Sequence, residues 1–595
     1  MEETSVITNA EDPVENLNLL FSTVGRMERE GGDLGEPVRI ALLRNYTIEG
    51  IEPFLKYYLL ANSLRPEIAF GGYGTIAQDV LAADGLVKRF DPDVIILSLM
   101  LEDVDSSYRT PRWKCDAVRD ELRSTFDMVA ARTRATVAVN TFLEPLHPEM
   151  GLALASDRSD TIAQVRDLND FIVEYVRERA PRFCLMDWDR YLRLLGAEQS
   201  LDARYWYLSK APFRRAFLNL YAKDVSRVVC ALKGRTKKCV VLDCDNTLWG
   251  GVIGEDGVDG IKLDRNEYPG KAYYDFQTSL LHLAERGVLI ALCSKNNEAD
   301  VFEVLDNHPS CRLKRSHLSA WRIDWADKTT NLTALARELN LGLDAFVFVD
   351  DNPVECGLVR KMLPEVTVLQ VPQKLYAYPP LLLKDGLFDT LRLTDEDRTR
   401  THLYQSSARR ESARGEFGTV EDYLGSLDTV ALIHRARPNE YPRVAQLTQK
   451  TNQFNLTTRR YSEQEIRTLA EASDSTVHTL AVKDKFGDLG LVGVLISRRD
   501  GSIGRIDTFL LSCRALGRDL ESAMIIHCLD ALRLEWGIVG WEAEYTPTRK
   551  NAQVANFWAA AGFTETGNLE GTKTYRLDAP LQRSKMPSYI SIQPD

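Results

Sequence analysis

No CxxC pair occurs among the ten cysteines, which are scattered without a regular framework. That excludes a zinc ribbon or a disulfide-stapled scaffold and fits free thiols in a reducing cytoplasm. No apolar run is long enough to span a bilayer, and one of the longest, Val94–Leu101, includes a serine. The first residues carry Glu2 and Glu3 instead of a basic-then-apolar leader, so no secretory signal is expected. Positive charge is not in excess either: 74 Lys and Arg stand against 86 Asp and Glu, a formal net charge of −12. Such a field repels nucleic acid and anionic lipid, so neither is an expected partner. No internal repeat is apparent.

What is present is ordinary globular composition, 44% apolar and 27% charged, over 595 residues. That is too much chain for one core, so several domains are expected. Residues 1–36 hold nine acidic and two basic residues and read as a disordered, solvated tail. From residue 37 to 232, apolar runs such as RIALLRN (39–45) and PDVIILSLML (92–101) alternate with helical stretches such as Asp160–Arg179. This is the pattern of a parallel sheet with helices on its faces. A second α/β unit spans 233–372, with strands at Lys237–Leu242, VLIALC (288–293) and AFVFV (345–349). A helix at Lys271–Arg286 is stopped by Gly287. The charged stretch 373–420 is expected to be a helical connector. Residues 421–578 form a third, mixed α/β unit with a long helix over Arg518–Trp536, and 579–595 a loose tail.

Chemistry concentrates in the second unit. Its first strand runs into Asp243-Cys244-Asp245-Asn246-Thr247, and carboxylates at i and i+2 leave a strand on the same side. The second strand ends in Ser294-Lys295-Asn296, and the third in Asp350-Asp351. Asp327-Lys328 opens a helix between them. In an open parallel sheet the ligand crevice lies at these carboxyl ends. Clustered carboxylates need a cation, and oxygen-only ligands favour Mg²⁺ together with a substrate phosphate. An aspartate can attack phosphorus, while Ser294 and Lys328 would hold the equatorial oxygens.

DxDxT, the strand-end serine, the lysine and the DD pair, in that order, resemble the haloacid-dehalogenase (HAD) phosphatase superfamily. The resemblance implies Asp243 as nucleophile and metal ligand, and Asp245 as general acid/base whose carbonyl also reaches the metal. It implies Thr247, Ser294, Lys295, Asn296 and Lys328 around the phosphate, and Asp350 and Asp351 at Mg²⁺. Only 23 residues separate Thr247 from Lys271, enough for a flap but not for a cap domain, so the HAD core is Rossmannoid without a large cap. An uncapped crevice admits a large substrate or needs a roof from elsewhere.

TLWGGVIGEDG, LCSKNN, DWADKTTNL, FVDDNPVE and QLTQKTNQFNLTTRRYS (446–462) together are similar to the FkbH-like branch of that superfamily. This resemblance implies a cytoplasmic enzyme of polyketide-type biosynthesis. It would take a glyceryl unit from 1,3-bisphosphoglycerate, remove phosphate and load an acyl carrier protein as a thioester. The alternative is a HAD phosphatase acting on a phosphorylated metabolite or protein. The acyl acceptor is either a chain thiol, with Cys244 and Cys293 nearest by sequence, or the carrier's own phosphopantetheine thiol. Strand alternation turns both cysteines away from the crevice.

Residues 421–578 resemble the GNAT acyltransferase fold, through Arg514-Ala-Leu-Gly517-Arg518-Asp519 and NAQVANFWAAAGF (551–563). Arg514, Gly517 and Arg518 would then hold the pyrophosphate of a carrier arm or of coenzyme A. Asp519 departs from the small residue of that pattern and brings a carboxylate towards it. Carrier docking, a structural role and acetyl transfer all stay open, and Arg459-Arg460 are a further phosphate candidate. The N-terminal unit resembles an SGNH/flavodoxin-like domain that lacks its GDS motif. Thr47 and His147 are its nearest polar candidates, and a docking or structural role is expected.

Overall fold

A computed structural model describes residues 13–30, 35–111, 113–151, 160–383, 385–394, 397, 410, 417–548, 550–569, 571–578 and 586–593. The chain divides into two compact units, Met1–Arg235 and Thr236–Asp595.

In the first unit five strands form a parallel sheet: β1 (Glu36–Arg44), β2 (Leu64–Tyr73), β3 (Val94–Ser98), β4 (Thr136–Asn140) and β5 (Phe183–Met186). Their order is β2-β1-β3-β4-β5, the flavodoxin-like doubly wound arrangement. β3 and β4 are buried along their whole length, as a sheet covered on both faces requires. The expectation of a disordered tail over 1–36 is corrected for its second half, since Leu17–Glu30 is an α-helix. Leu20 and Val24 sit one turn apart on its buried face, and that stripe outweighs the acidic composition that suggested a solvated tail.

The second unit holds two sheets. One is parallel: β6 (Cys239–Leu242), β7 (Leu289–Ser294), β8 (Leu318–Ile323), β9 (Phe346–Asp350) and β10 (Thr367–Gln370), in the order β10-β9-β6-β7-β8. The helix before β7 spans Gly270–Glu285, and Gly287 takes φ +80° just beyond it, a left-handed stop that glycine adopts without steric cost. Among the described residues, 373–394 do not form the expected helical connector. Their regular structure is a single 3₁₀ turn, Leu375–Ala377, and Tyr378, Leu381, Leu382 and Phe388 are buried against the core around β6 and β7. The prolines of AYPPLLL interrupt a helix, while its leucines are needed as core. The charged remainder, 395–416, lies outside the described residues apart from Asp397 and Arg410.

The other sheet contains β11 (Thr429–Arg435), β12 (Phe454–Asn455), β13 (Ser475–Asp484), β14 (Gly487–Asp500), β15 (Ile503–Leu511), β16 (Gly540–Tyr545), β17 (Thr564–Leu569), β18 (Thr572–Leu577) and β19 (Ile590–Gln593). Neighbours are antiparallel except β15 with β16 and β11 with β19. The helix Leu520–Trp536 crosses between β15 and β16 and buries Ala523, Met524 and Leu532 in this sheet's core. The tail expected to be loose from residue 579 instead ends in β19, because Ile590 alternates with polar neighbours and is buried against the sheet. This domain meets the amino end of the parallel sheet: Lys238 Nζ donates to the Lys450 carbonyl at 2.8 Å and Asn340 Nδ2 to the Cys513 carbonyl at 2.6 Å.

Candidate active site

β6, β9 and β7 are adjacent, so residues at their carboxyl ends meet in one crevice. Asp243 follows β6, with its backbone N–H bonded to the Val349 carbonyl at 2.9 Å. Asp350 ends β9, and Ser294 ends β7. Lys328 opens the helix Lys328–Glu338, whose cap is Asp327 accepting from the Thr330 N–H at 2.8 Å. That cap aims the lysine inward. Its Nζ lies 2.7 Å from Asp243 Oδ1 and 2.5 Å from Asp350 Oδ2, with all three side chains buried. Ser294 Oγ donates to Asp243 at 2.8 Å.

Asp245 is held by three donors: Trp249 Nε1 at 3.0 Å, the Ile253 N–H at 3.1 Å and Asn296 Nδ2 at 3.1 Å. Trp249 was not among the sequence candidates, although TLWGG places it one helical turn after Asp245. Tyr378 also went unseen. Its hydroxyl donates to the Asn246 carbonyl at 3.1 Å, and Asn246 is held in the left-handed region at φ +54°. No local pattern links residues 132 positions apart.

Burial pushes the Asp243 carboxyl up to about 6 and the repulsion of Asp350 adds to it, against the pull of Lys328 and Ser294. Asp350 and Asp351 are raised by burial as well. Burial alone would lower Lys328, but the two carboxylates beside it outweigh that and raise it, so it stays an ammonium. Asp243, Asp350 and Asp351 each offer an oxygen within 4.8 Å of the others, a set able to hold a divalent cation. Lys328 pairs with two of the four carboxylates, Asp243 and Asp350, so among the described residues the cluster is short of positive charge. Thr247 Oγ1 is fully buried beside them with no hydrogen-bond partner among the described residues, which fits a site with room for a further polar group.

Several candidates are corrected. Lys295 is not in this cluster, for its ammonium pairs with Glu355 at 2.7 Å on a partly exposed side chain. Cys244 is fully buried in the apolar core, and burial together with Asp243 holds its thiol far above the usual range. Neither the burial nor the neighbouring carboxylate favours a thiolate there, and Cys293 is buried and raised in the same way. Arg518 does not face a pyrophosphate. It is buried against Asp484 at 2.8 Å and reaches Thr429 Oγ1 at 3.2 Å. Asp519, at φ +56°, places its carboxylate at the helix start, where it accepts from the Tyr589 hydroxyl. Gly517 stays exposed at φ +72°, and Arg514 turns back to Ser512 Oγ at 3.4 Å. Arg459 is spent on Asp507 and Glu544, at 3.2 and 2.7 Å. Arg460 is spent on Gln449 and Asn452.

In the first unit the strand ends are closed by internal bonds. Asn45 and Asn140 clamp the chain at Met100 and Leu99 through paired amide bonds of 2.8–2.9 Å. Ser98 Oγ meets the hydroxyls of Tyr46 and Tyr221 at 2.8 and 3.1 Å. Thr47 Oγ1 donates to the Ser209 carbonyl, and His147 is exposed. None of these side chains is assembled with a base or an acid as a nucleophile would need.

Residues 238–366 match the family model of NLI interacting factor-like phosphatases. Among solved structures, the chain resembles the N-terminal part of the protein BF1531 from Bacteroides fragilis, containing a phosphatase domain complexed with Mg. The identity is 24% and the TM-score 0.57, over 62% of this chain and 99% of that one. A further match is the ribosomal-protein-S18-alanine N-acetyltransferase from Escherichia coli, 13% identical at a TM-score of 0.21, covering 26% of this chain and 97% of that one. Another is the PaiA N-acetyltransferase from Thermoplasma acidophilum in complex with coenzyme A, 13% identical at 0.19, covering 25% and 99%. At those scores the two acetyltransferases say nothing of activity. No curated protein matches the sequence. The chain thus carries a HAD-type phosphatase domain, an enzyme domain, within a mixed α/β multidomain protein. Among the described residues no helix is long and apolar enough to cross a membrane.

Proposed function

We propose that the protein is a Mg²⁺-dependent phosphoryl- and acyl-transferring enzyme of polyketide-type biosynthesis. It takes a glyceryl unit from 1,3-bisphosphoglycerate, removes its phosphate and loads it as a thioester on an acyl carrier protein. The observation that carries the phosphoryl chemistry is the buried set of Asp243, Asp350 and Lys328 at three adjoining strand ends. The glyceryl and carrier assignments are supported by the long FkbH-like motifs and by the lack, among the described residues, of a cap domain between Thr247 and Gly270. Between Thr247 and Gly270 the described chain forms only the kinked helix Ile253–Gly260 and a bridge from Gly250 to Lys262.

Asp243, Asp350 and Asp351 would hold Mg²⁺, which when bound neutralises phosphate charge. Asp243 attacks phosphorus of the monoester, the P–O bond to the substrate breaks, and Asp245 protonates the departing oxygen. Water then cleaves the aspartyl-phosphate while Asp245 takes its proton. Lys328 and Ser294 hold the transferring oxygens. Thioester formation needs no chain thiol. The carrier's thiol adds to the acyl-phosphate carbonyl, the acyl C–O bond breaks and phosphate leaves, with the thiol proton lost to solvent.

The test incubates the full protein with Mg²⁺, 1,3-bisphosphoglycerate made in situ and a phosphopantetheinylated carrier protein, followed by intact-mass spectrometry. A glyceryl adduct on the carrier is expected, replaced in Asp243→Asn by an adduct that keeps its phosphate. Phosphate release with no adduct would reduce the enzyme to a phosphatase of another substrate.

A further inference from the structure

The helix Pro353–Met362 leaves the crevice directly after Asp350-Asp351 and runs back along β9 towards β10, the sheet's edge strand. It has two apolar faces. Cys356 and Val359 are buried in the domain. Val354, Leu358 and Met362, at four-residue steps and therefore on one face, are 75%, 41% and 58% exposed. Gly357 lies between the first two with open space where a Cβ would stand, so the stripe has a shallow floor. Eight residue steps from Val354 to Met362 make it about 12 Å long, starting at the crevice rim. Single exposed apolar side chains are ordinary, but an aligned stripe leading from a catalytic crevice is not.

The charge beside the stripe runs against that of the whole chain. Arg360 and Lys361 are exposed on the same helix and have no carboxylate partner among the described residues, in a chain of net charge −12. The helix's one acid, Glu355, is turned aside to Lys295 at 2.7 Å. The C-terminal domain meets this sheet at its amino end, through Lys238 and Asn340, away from the carboxyl end where this helix starts. An apolar ridge bordered by acidic side chains on a partner helix complements this surface in shape and in sign.

We propose that this helix face is where the acyl carrier protein docks, an acidic, apolar-ridged helix of the carrier lying along Val354, Leu358 and Met362 with its prosthetic arm entering the adjoining crevice. The inference rests on the carrier-loading reading above. It is tested with full-length Leu358→Glu and Arg360→Glu/Lys361→Glu, neither of which alters a residue of the crevice. Three readouts are compared with the unmodified protein: KM for the phosphopantetheinylated carrier, loading of free pantetheine, and hydrolysis of p-nitrophenyl phosphate.

The expected result is a KM for the carrier raised about tenfold or more in both variants, with the two small-molecule activities unchanged. Unchanged carrier KM in both variants, with loading intact, overturns the docking face and leaves the loading reading standing. Carrier binding by titration calorimetry that the variants lose, without any loading by the unmodified protein, supports the face and sinks the loading reading. Neither binding nor loading overturns both. A dimer in solution that Leu358→Glu dissociates also overturns the proposal, since the stripe would then be covered by a second copy.

Discussion

Around Asp243 every side chain is explained by its charge environment. Among the described residues Lys328 is the one cation between two buried carboxylates, so Lys328→Met should cost roughly 3–5 kcal/mol of stability without added metal. Added Mg²⁺ should recover more of the melting temperature in that variant than in the unmodified protein, because the ammonium no longer competes for Asp243 and Asp350. An unchanged denaturant midpoint would remove Lys328 from this role. Cys244→Ala, by contrast, should leave phosphate release and any carrier loading intact, because its side chain is packed into the apolar core. His478 gives a pH signature. Burial and the nearby Arg435 depress it to about 4 in the folded protein, against about 6.5 for an exposed histidine. The unfolded chain therefore binds the extra proton between those values. Stability is full above pH 6.5 and falls as the pH drops towards 4, by no more than about 3 kcal/mol from this group. Melting curves at pH 7 and pH 5 should show a smaller loss for His478→Gln than for the unmodified protein.

At the scale of elements, two segments that composition marks as tails are structural. Leu17–Glu30 contributes an apolar stripe, and β19 adds a parallel edge to β11 through the register Thr429 to Ile590. Ile590→Asp would place a charge at a buried sheet position and should lower unfolding free energy by about 2 kcal/mol or more. Equal denaturant midpoints for the two proteins would show that β19 contributes nothing. These elements were hard to read because each has a short apolar period surrounded by charge or proline, and composition averages over it. The strand ends of the phosphatase domain were legible for the opposite reason. Their apolar runs are continuous, and the polar residues follow each run at once.

The whole molecule divides at Arg235 and Thr236, with separate hydrophobic cores on either side. Residues 236–595 expressed alone should therefore unfold in a cooperative transition and release phosphate as the full chain does. A fragment without a cooperative melt would mean that the first unit is needed for folding. Within the second unit the catalytic crevice and the C-terminal domain lie at opposite ends of the parallel sheet.

The amino-acid sequence by itself determined the alternation that builds the parallel sheets, the order of the phosphatase motifs, and the side of the sheet on which Asp243 and Asp245 emerge. These follow from local periodicity, and a strand's alternation leaves little freedom. Tertiary structure alone decided that Lys328 bridges Asp243 and Asp350 while Lys295 turns away to Glu355, that Tyr378 braces Asn246, and that Arg518 is consumed by Asp484 instead of meeting a ligand. Each depends on a partner many residues away, and charge pairing at such distances in sequence is settled only when packing brings the partners together and removes water from between them.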